Sequence, residues 1–294
     1  MKAQVLVVEG NAEATSAQMI ALGARPYGES YAQLLESLSP EVACTVVYPA
    51  EDGVDCLPPG KKLSDYDGIA WTGSALSAYM DRPEVHHQVE LAKLAYDSGT
   101  PVFGSCWGLQ IMAIALGGSV RANPKGREIG IGHDIELTQA GLGHPLYAGK
   151  DPAFDVLSVH LDEVETLPDG AVLLAGNAVS EVQAFFIEEN GNSFWGVQYH
   201  PEFDFEVMAL VLRRLRTLLI KEGVFENEES VDERIEHYMA LHRRTTSSDD
   251  RTENDADETT QGADRSAPHE FVFDPDLRRV ELSNWLRTKV IGGE

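Results

Sequence analysis

Pro101-Val102-Phe103-Gly104-Ser105-Cys106-Trp107-Gly108-Leu109-Gln110-Ile111-Met112 decides the fold. The apolar run Pro101-Val102-Phe103 reads as a buried strand. Leu109, Ile111, Met112, Ile114 and Leu116 then continue as a helix, stopped by Gly117-Gly118. Between strand and helix one cysteine stands with glycines two residues before and two residues after it. A turn this tight forces those two positions together, and a side chain at either would not fit. The stretch is a nucleophile elbow with sulfur in place of the hydroxyl. It lifts Cys106 to the carboxyl end of a sheet and to a helix N-terminus, a position that favours the thiolate.

Working outward, strands and helices alternate. Residues 3–9 are an apolar strand that opens into Gly10-Asn11, and 29–38 carry Tyr31, Leu34, Leu35 and Leu38 at helical spacing. A strand at about 42–48 ends at Pro49, and Asp67-Gly68-Ile69-Ala70-Trp71 opens into Thr72-Gly73-Ser74. An amphipathic helix covers 84–97. The second half is richer in strands, at 131–137, 154–159, 172–175, 182–187 and 194–197, and closes with a helix from about 204 to 222. The alternation predicts an α/β fold with a doubly wound, mostly parallel sheet and flanking helices. Residues 1–224 form the catalytic body, 225–244 a helical extension, 245–268 an acidic linker without apolar anchors, and 269–294 a helical docking segment. That last segment is expected to seat on the body or on a partner subunit.

A second stretch supplies the remaining chemistry. Phe194-Trp195-Gly196-Val197 is apolar and leads into Gln198-Tyr199-His200-Pro201-Glu202. Glu202 can bond one ring nitrogen of His200 and fix its tautomer, leaving the other nitrogen for a nucleophile. A thiol, a base and an acid that orients the base are the parts of a cysteine-nucleophile hydrolase.

Composition narrows the class. Hydrophobic residues are 43% of 294, enough for a substantial core. No apolar run is long enough to cross a bilayer and the N-terminus lacks a signal-peptide pattern, so a cytoplasmic protein is expected. The net charge is −25. Residues 221–294 hold 19 acidic and 10 basic side chains, which leaves −16 for residues 1–220. A surface this acidic throughout disfavours nucleic acid and anionic membranes as partners. Cys44, Cys56 and Cys106 show no paired spacing, which argues against a disulfide framework or a zinc ribbon. Cys44 reads as a small core residue. His86 and His87 are adjacent and cannot share a helix face as a metal pair, and His133 and His144 sit in glycine-rich turns without carboxylate partners at ligand spacing. Neither a metal nor an organic cofactor is expected.

Gly104 to Gln110 together with Gly196 to Glu202 resembles the class I (triad) glutamine amidotransferase family. Gly126-Arg127-Glu128-Ile129-Gly130 and Val159-His160-Leu161-Asp162-Glu163-Val164 are similar to further segments of that family, and the likeness spans about residues 3–220. It is nearest to stand-alone GMP-synthase-like and γ-glutamyl peptidase-like members. The resemblance implies a flavodoxin-like fold and a catalytic triad of Cys106, His200 and Glu202. It implies an oxyanion hole from the backbone N–H groups of Gly73 and Trp107, and a glutamyl end held by Gln110 and the backbone near Val159 and His160. Many members carry Gly-Gly-Pro where this chain has Thr72-Gly73-Ser74. The tail from 221 lacks a phosphate-binding glycine loop, so no synthetase domain is expected after the body. Three functions follow: a hydrolase of γ-glutamyl amide bonds acting on glutamine or a γ-glutamyl peptide or amine, a glutaminase subunit feeding ammonia to a separate synthase, and a catalytically idle binding protein. The amine side of the substrate is expected to meet the 10–28 loop and the segment 74–83.

Overall fold

The computed structural model describes residues 2–246 and 270–292. Its strands are β1 Ala3–Val8, β2 Val42–Val47, β3 Gly68–Trp71, β4 Val102–Ser105, β5 Ser119–Ala122, β6 Glu128–Leu137, β7 Ala153–His160, β8 Asp162–Thr166, β9 Val172–Gly176, β10 Ala184–Glu189 and β11 Asn192–Val197. The helices are α1 Glu13–Ala21, α2 Tyr27–Leu38, α3 Pro49–Asp52, α4 Pro83–Asp97, α5 Trp107–Ala115, α6 Gln139–Gly143, α7 Phe205–Lys221, α8 Glu228–Thr246, α9 Pro275–Arg278 and α10 Val280–Trp285.

Nine strands form one sheet in the order β2-β1-β3-β4-β11-β10-β9-β6-β7. From β2 to β11 all neighbours are parallel, and only β6 and β10 run against the rest. This is the mostly parallel, doubly wound sheet that the alternation predicts. Its central strands are apolar on both faces because helices cover both. Leu6, Val8, Ile69, Trp71 and Val102 point to one face, under α4 and α5. Val5, Val7, Ala70, Phe103, Trp195 and Val197 point to the other, under α2 and the C-terminal segment. Helices α7 and α8 build a third apolar cluster with Leu157 of β7.

The C-terminal segment is part of this core. It runs through a 3₁₀ turn at Glu270–Val272, α9, α10 and a π-helical turn at Leu286–Val290. Trp285 is fully buried, with its ring centroid 5.7 Å from that of Phe103. It lies so close over the start of β3 that a Cβ on Gly68 would come within 3.0 Å of the indole. Glu281 is paired with Lys150 at 2.6 Å, both side chains at most 1% exposed, and accepts the Tyr199 hydroxyl at 2.6 Å. Asn284 donates to the carbonyls of Leu146 and Ala148 at 2.9 Å each. The apolar side chains expected to dock on the body or a partner are thus spent on the chain's own sheet.

Several expectations are corrected. Residues 10–28 are not a plain loop, since they hold α1 and the first turn of α2. Helix α1 buries none of its residues and has no side-chain cap, so it carries no apolar stripe by which its sequence could announce it. Strands β5 and β8 are likewise unmarked in the sequence. They are short, and β8 is mostly polar. Arg121 of β5 ties them by pairing with Glu163 at 3.1 Å and Glu165 at 2.9 Å. His133 lies on β6, not in a turn, and its Nδ1 is 2.9 Å from Oδ2 of Asp155, which lies 22 positions further along the chain. Cys44 is half-buried against the core and not enclosed in it. The helical extension runs to Thr246, and the acidic linker at 245–268 lies outside the described residues from 247 onward. Among the described residues no helix is long and apolar enough to cross a membrane.

Candidate active site

Cys106 sits where β4 turns into α5, with φ +50° and ψ −97°. Such a backbone costs a non-glycine residue free energy and persists only where the surroundings enforce it. They do so here. The Cys106 N–H donates to the Val197 carbonyl of β11 at 2.8 Å. A Cβ on Gly104 would lie 2.5 Å from the Gly108 carbonyl carbon, and one on Gly108 would lie 2.8 Å from Cβ of Trp71. Both glycines of the elbow are therefore demanded by close approach. The Trp107 indole is fixed behind the turn by donating to Gln88 Oε1 at 2.7 Å, and Gln88 donates on to the Gly10 carbonyl at 3.0 Å.

Parallel pairing of β4 with β11 sets Ser105 opposite Val197. The chain beyond Val197 therefore emerges beside the elbow, and His200 is held there by donating its N–H to the Leu157 carbonyl at 2.9 Å. His200 Nδ1 is 2.7 Å from Glu202 Oε1, and both side chains are nearly sealed from solvent at 3% and 2% exposure. Phe203 stacks on the imidazole at 4.0 Å between centroids. The other nitrogen, Nε2, is buried and has no hydrogen-bond partner among the described residues, which leaves it for the sulfur side. Burial opposes charge on this ring, yet the Glu202 carboxylate and then Cys106 outweigh it and push His200 up to about 10.

A residue not expected from the sequence completes this corner. The Tyr27 hydroxyl donates to Glu202 Oε1 at 2.5 Å and lies 3.3 Å from His200 Nδ1. Burial, and after it the Glu202 charge, raises its pKa well above the ordinary phenol value, so it stays a donor. Tyr27 is aimed by Glu9, a buried carboxylate at the end of β1 that accepts the N–H groups of Gly28 and Asn11. No local pattern marks Tyr27. Only an apolar-to-acid switch at Glu9 hints that β1 ends in something other than core.

Gly73 lies against the imidazole. A Cβ there would meet His200 Cε1 at 2.6 Å. The Thr72-Gly73-Ser74 variant of the loop is held by its own chemistry: the fully buried Thr72 hydroxyl accepts from Gly10 N at 2.9 Å and donates to the Gly73 carbonyl at 3.0 Å. Asn11 Oδ1 accepts from Ala75 N at 2.9 Å and fastens the next turn.

Gln110, Val159 and His160 also line the cleft, with Cys106 Sγ 3.9 Å from the Val159 carbonyl oxygen. Gln110 Nε2 is already committed to the Asp162 carbonyl at 2.9 Å and Gln198 Oε1 at 3.1 Å, so a ligand contact falls to its Oε1. The His160 ring is committed too: Nδ1 faces the Asp162 carbonyl at 3.0 Å and Nε2 faces Glu128 at 2.9 Å. Glu128 further accepts from Asn177, Gln183 and Ser158. What β7 offers the cleft is backbone, and Glu128 braces it from behind. The cleft has a volume of about 840 Å³, and the walls expected from 10–28 and 74–83 are present as Asn11, Thr15, Met19 and Ser74 to Ser77.

Among the described residues one group, Asp204, Glu206 and His242, brings three possible metal-donor atoms within 4.8 Å of one another. It is part exposed and Asp204 is already the N-cap of α7, accepting from Val207 N at 2.9 Å. It shares no residue with the Cys106–His200–Glu202 corner.

A cysteine elbow and an acid-oriented histidine meet in one cleft at the strand ends of a mostly parallel sheet. Residues 27–216 match the family described as glutamine amidotransferase class-I, and the chain belongs to that family. The "Gamma-glutamyl-L-1-hydroxyisopropylamide hydrolase" of a Pseudomonas species is 33% identical over 99% of this chain and 94% of its own length. "Gamma-glutamyl peptidase 4" of Arabidopsis thaliana is 30% identical over 54% of this chain and 62% of its own. The glutamine-hydrolyzing GMP synthase of Thiobacillus denitrificans is 33% identical, but the match spans 30% of that protein. Among solved structures, a glutamine amidotransferase from Thermotoga maritima superposes with a TM-score of 0.59 at 18% identity, covering 83% of this chain and 96% of that one. That likeness is one of fold.

Proposed function

We propose that the protein is a cysteine-dependent hydrolase of γ-glutamyl amide bonds. The observation that carries this reading is the end-to-end likeness to the Pseudomonas γ-glutamyl amide hydrolase. The placement of Cys106, His200 and Glu202 at the ends of β4 and β11 supports it. In the proposed cycle His200 Nε2 takes the Cys106 thiol proton as the sulfur attacks the γ-carbonyl carbon. The oxyanion is received by the N–H groups of Gly73 and Trp107. Gln110 and the backbone at Val159 and His160 hold the glutamyl end. The C–N bond breaks as His200 Nε2 delivers its proton to the departing amine, leaving a γ-glutamyl thioester. Water then gives a proton to His200 as its oxygen attacks the thioester; the C–S bond breaks, glutamate leaves, and His200 returns the proton to the sulfur. Glu202 holds the imidazole throughout. The reading is tested by glutamate release from glutamine and from a panel of γ-glutamyl peptides and amines, with Cys106→Ala as blank; silence on the whole panel by folded enzyme rejects it. The expected compartment is the cytoplasm.

Two expected outcomes follow from the His200 corner. With the imidazolium held to about 10, the alkaline limb of kcat/KM is expected near pH 10. In Glu202→Gln it should move down toward the ordinary histidine value of about 6.5. The same raised pKa contributes stability that is fully present below the unfolded value and is lost as pH rises through about 10. A pH–rate profile whose limb stays in place in the variant would contradict the assignment of Glu202. For Tyr27→Phe, loss of one hydrogen bond to a charged group should lower kcat by about 10-fold with KM little changed. A kcat equal to that of the parent would remove Tyr27 from the orienting set.

A second reading, ammonia supply to a separate synthase, is favoured by the match to a glutamine-hydrolyzing GMP synthase subunit of Methanoculleus marisnigri, 35% identical over 42% of this chain. In that reading glutamine is the substrate and turnover rises when the synthase is added.

A further inference from the structure

The cleft does not end at the triad. Past His200 it continues along α7, where Val207, Leu210, Val211 and Arg214 line it. These positions recur three and four residues apart, so they stand on one stripe of the helix. Arg214 interrupts this apolar lining about two turns from Val207, and Leu215 and Leu218 continue it beyond.

Among the described residues that cation has no anion. Arg214 makes no hydrogen bond or ion pair with a described residue, and its Nε is shut off from solvent. Burial, and after it the like charge of Arg127 on the same wall, pulls its guanidinium below the usual arginine range. Arg127 is itself taken, held by Glu222 through two bonds of 2.8 and 3.0 Å. Other carboxylates that line the cleft have partners of their own: Glu202 is held by His200 and Tyr27, Asp204 by the α7 N-terminus, and Asp162 by Tyr79. The chain carries 48 acidic against 23 basic side chains, so a carboxylate partner for an arginine is easily had. A partly desolvated guanidinium left without one costs folding free energy, which a ligand carboxylate would return through charge-assisted, two-pronged bonding.

Geometry says which carboxylate. The amine is protonated at His200, so the leaving group departs on the side where α7 begins. At 1.5 Å per residue, Arg214 stands about 13 Å up the helix from Phe205. An amino-acid residue adds about 3.5 Å of chain, so one or two of them, with the reach of the arginine, span that distance. We infer that Arg214 recognises the carboxylate of an amino-acid or peptide leaving group seated on the apolar stripe of α7. The preferred substrates are then γ-glutamyl peptides with an apolar residue after the glutamyl. They differ from the amide in the name of the Pseudomonas relative, whose amine part carries no carboxylate. This inference rests on the hydrolase reading above.

The test compares γ-glutamyl-leucine and γ-glutamyl-leucyl-glycine with their C-terminal carboxamides, which match them in size but not in charge. The full-length enzyme is expected to favour the free acid of at least one pair by roughly tenfold or more in kcat/KM. In Arg214→Met the ratio should fall to about one, and in Arg214→Lys, which keeps the charge without the fork, it should lie between. A parent ratio near one for both pairs, or a ratio that survives in Arg214→Met, overturns the inference while leaving hydrolysis intact. No turnover of any γ-glutamyl compound overturns the hydrolase reading and this inference with it.

Discussion

Cys106→Ala is expected to lower kcat for γ-glutamyl substrates by about 10⁴-fold or more, the scale on which removal of a covalent nucleophile is felt. Nothing else in the cleft replaces the thiol. Cys44 is half-buried beside α2 and Cys56 is half-buried in the turn after α3; burial pushes them up to about 12 and about 11. Neither lines the cleft. The variant should fold, because the elbow is held by backbone bonding to Val197 and by glycine contacts that do not involve the sulfur. Alanine at φ +50° keeps the strain that cysteine already bears. Glutamate release measured beside a thermal melt separates the two effects. In the parent, mass spectrometry of rapidly quenched enzyme should find the γ-glutamyl adduct on Cys106. Activity above one part in about a hundred in a clean preparation of the variant would put the nucleophile elsewhere.

Deleting residues 270–294 is expected to cost the protein its cooperative unfolding transition, and Trp285→Ala should already destabilise it by about 3–5 kcal/mol. The reason lies under the segment. Without it, Ala70, Phe103 and Trp195 lose the layer that shields that face of β3, β4 and β11. A parallel sheet bare on one face is not a stable arrangement. The single change Glu281→Ala, which leaves the segment in place, leaves Lys150 buried without its carboxylate and should cost about 3–5 kcal/mol by itself. Tyr199, which donates to Glu281, directly precedes His200, so the damage reaches the site through one peptide bond. Chemical denaturation followed by tryptophan fluorescence measures both effects. A truncated chain that unfolds at the parent midpoint would show that the segment sits on a surface already complete without it.

The parts legible in the sequence are those whose physics is local. The elbow could be read because its requirement lies within five residues: Gly104 and Gly108 touch, and any side chain on either collides. The apolar runs of β1, β3, β4 and β11 could be read because strands covered on both faces have no polar alternation to blur them. His200 and Glu202 could be paired because they stand only two positions apart. By contrast, α1 has no buried side chain and β8 has few apolar ones, so neither left a periodic trace.

By itself the sequence determined the alternation that makes a doubly wound sheet and singled out the proposed nucleophile and its proposed base, since each is written in neighbouring residues. Tertiary structure decided what those residues meet. Strand pairing between β4 and β11 brings Cys106 beside a segment almost a hundred residues later. The Tyr27–Glu202 bond crosses 175 positions, the Glu128–His160 brace crosses 32, and the Tyr199–Glu281 bond crosses 82. The C-terminal segment became a layer of the core for the same reason. Such contacts follow from how the layers close over one another, and a chain read in order carries no spacing that records them.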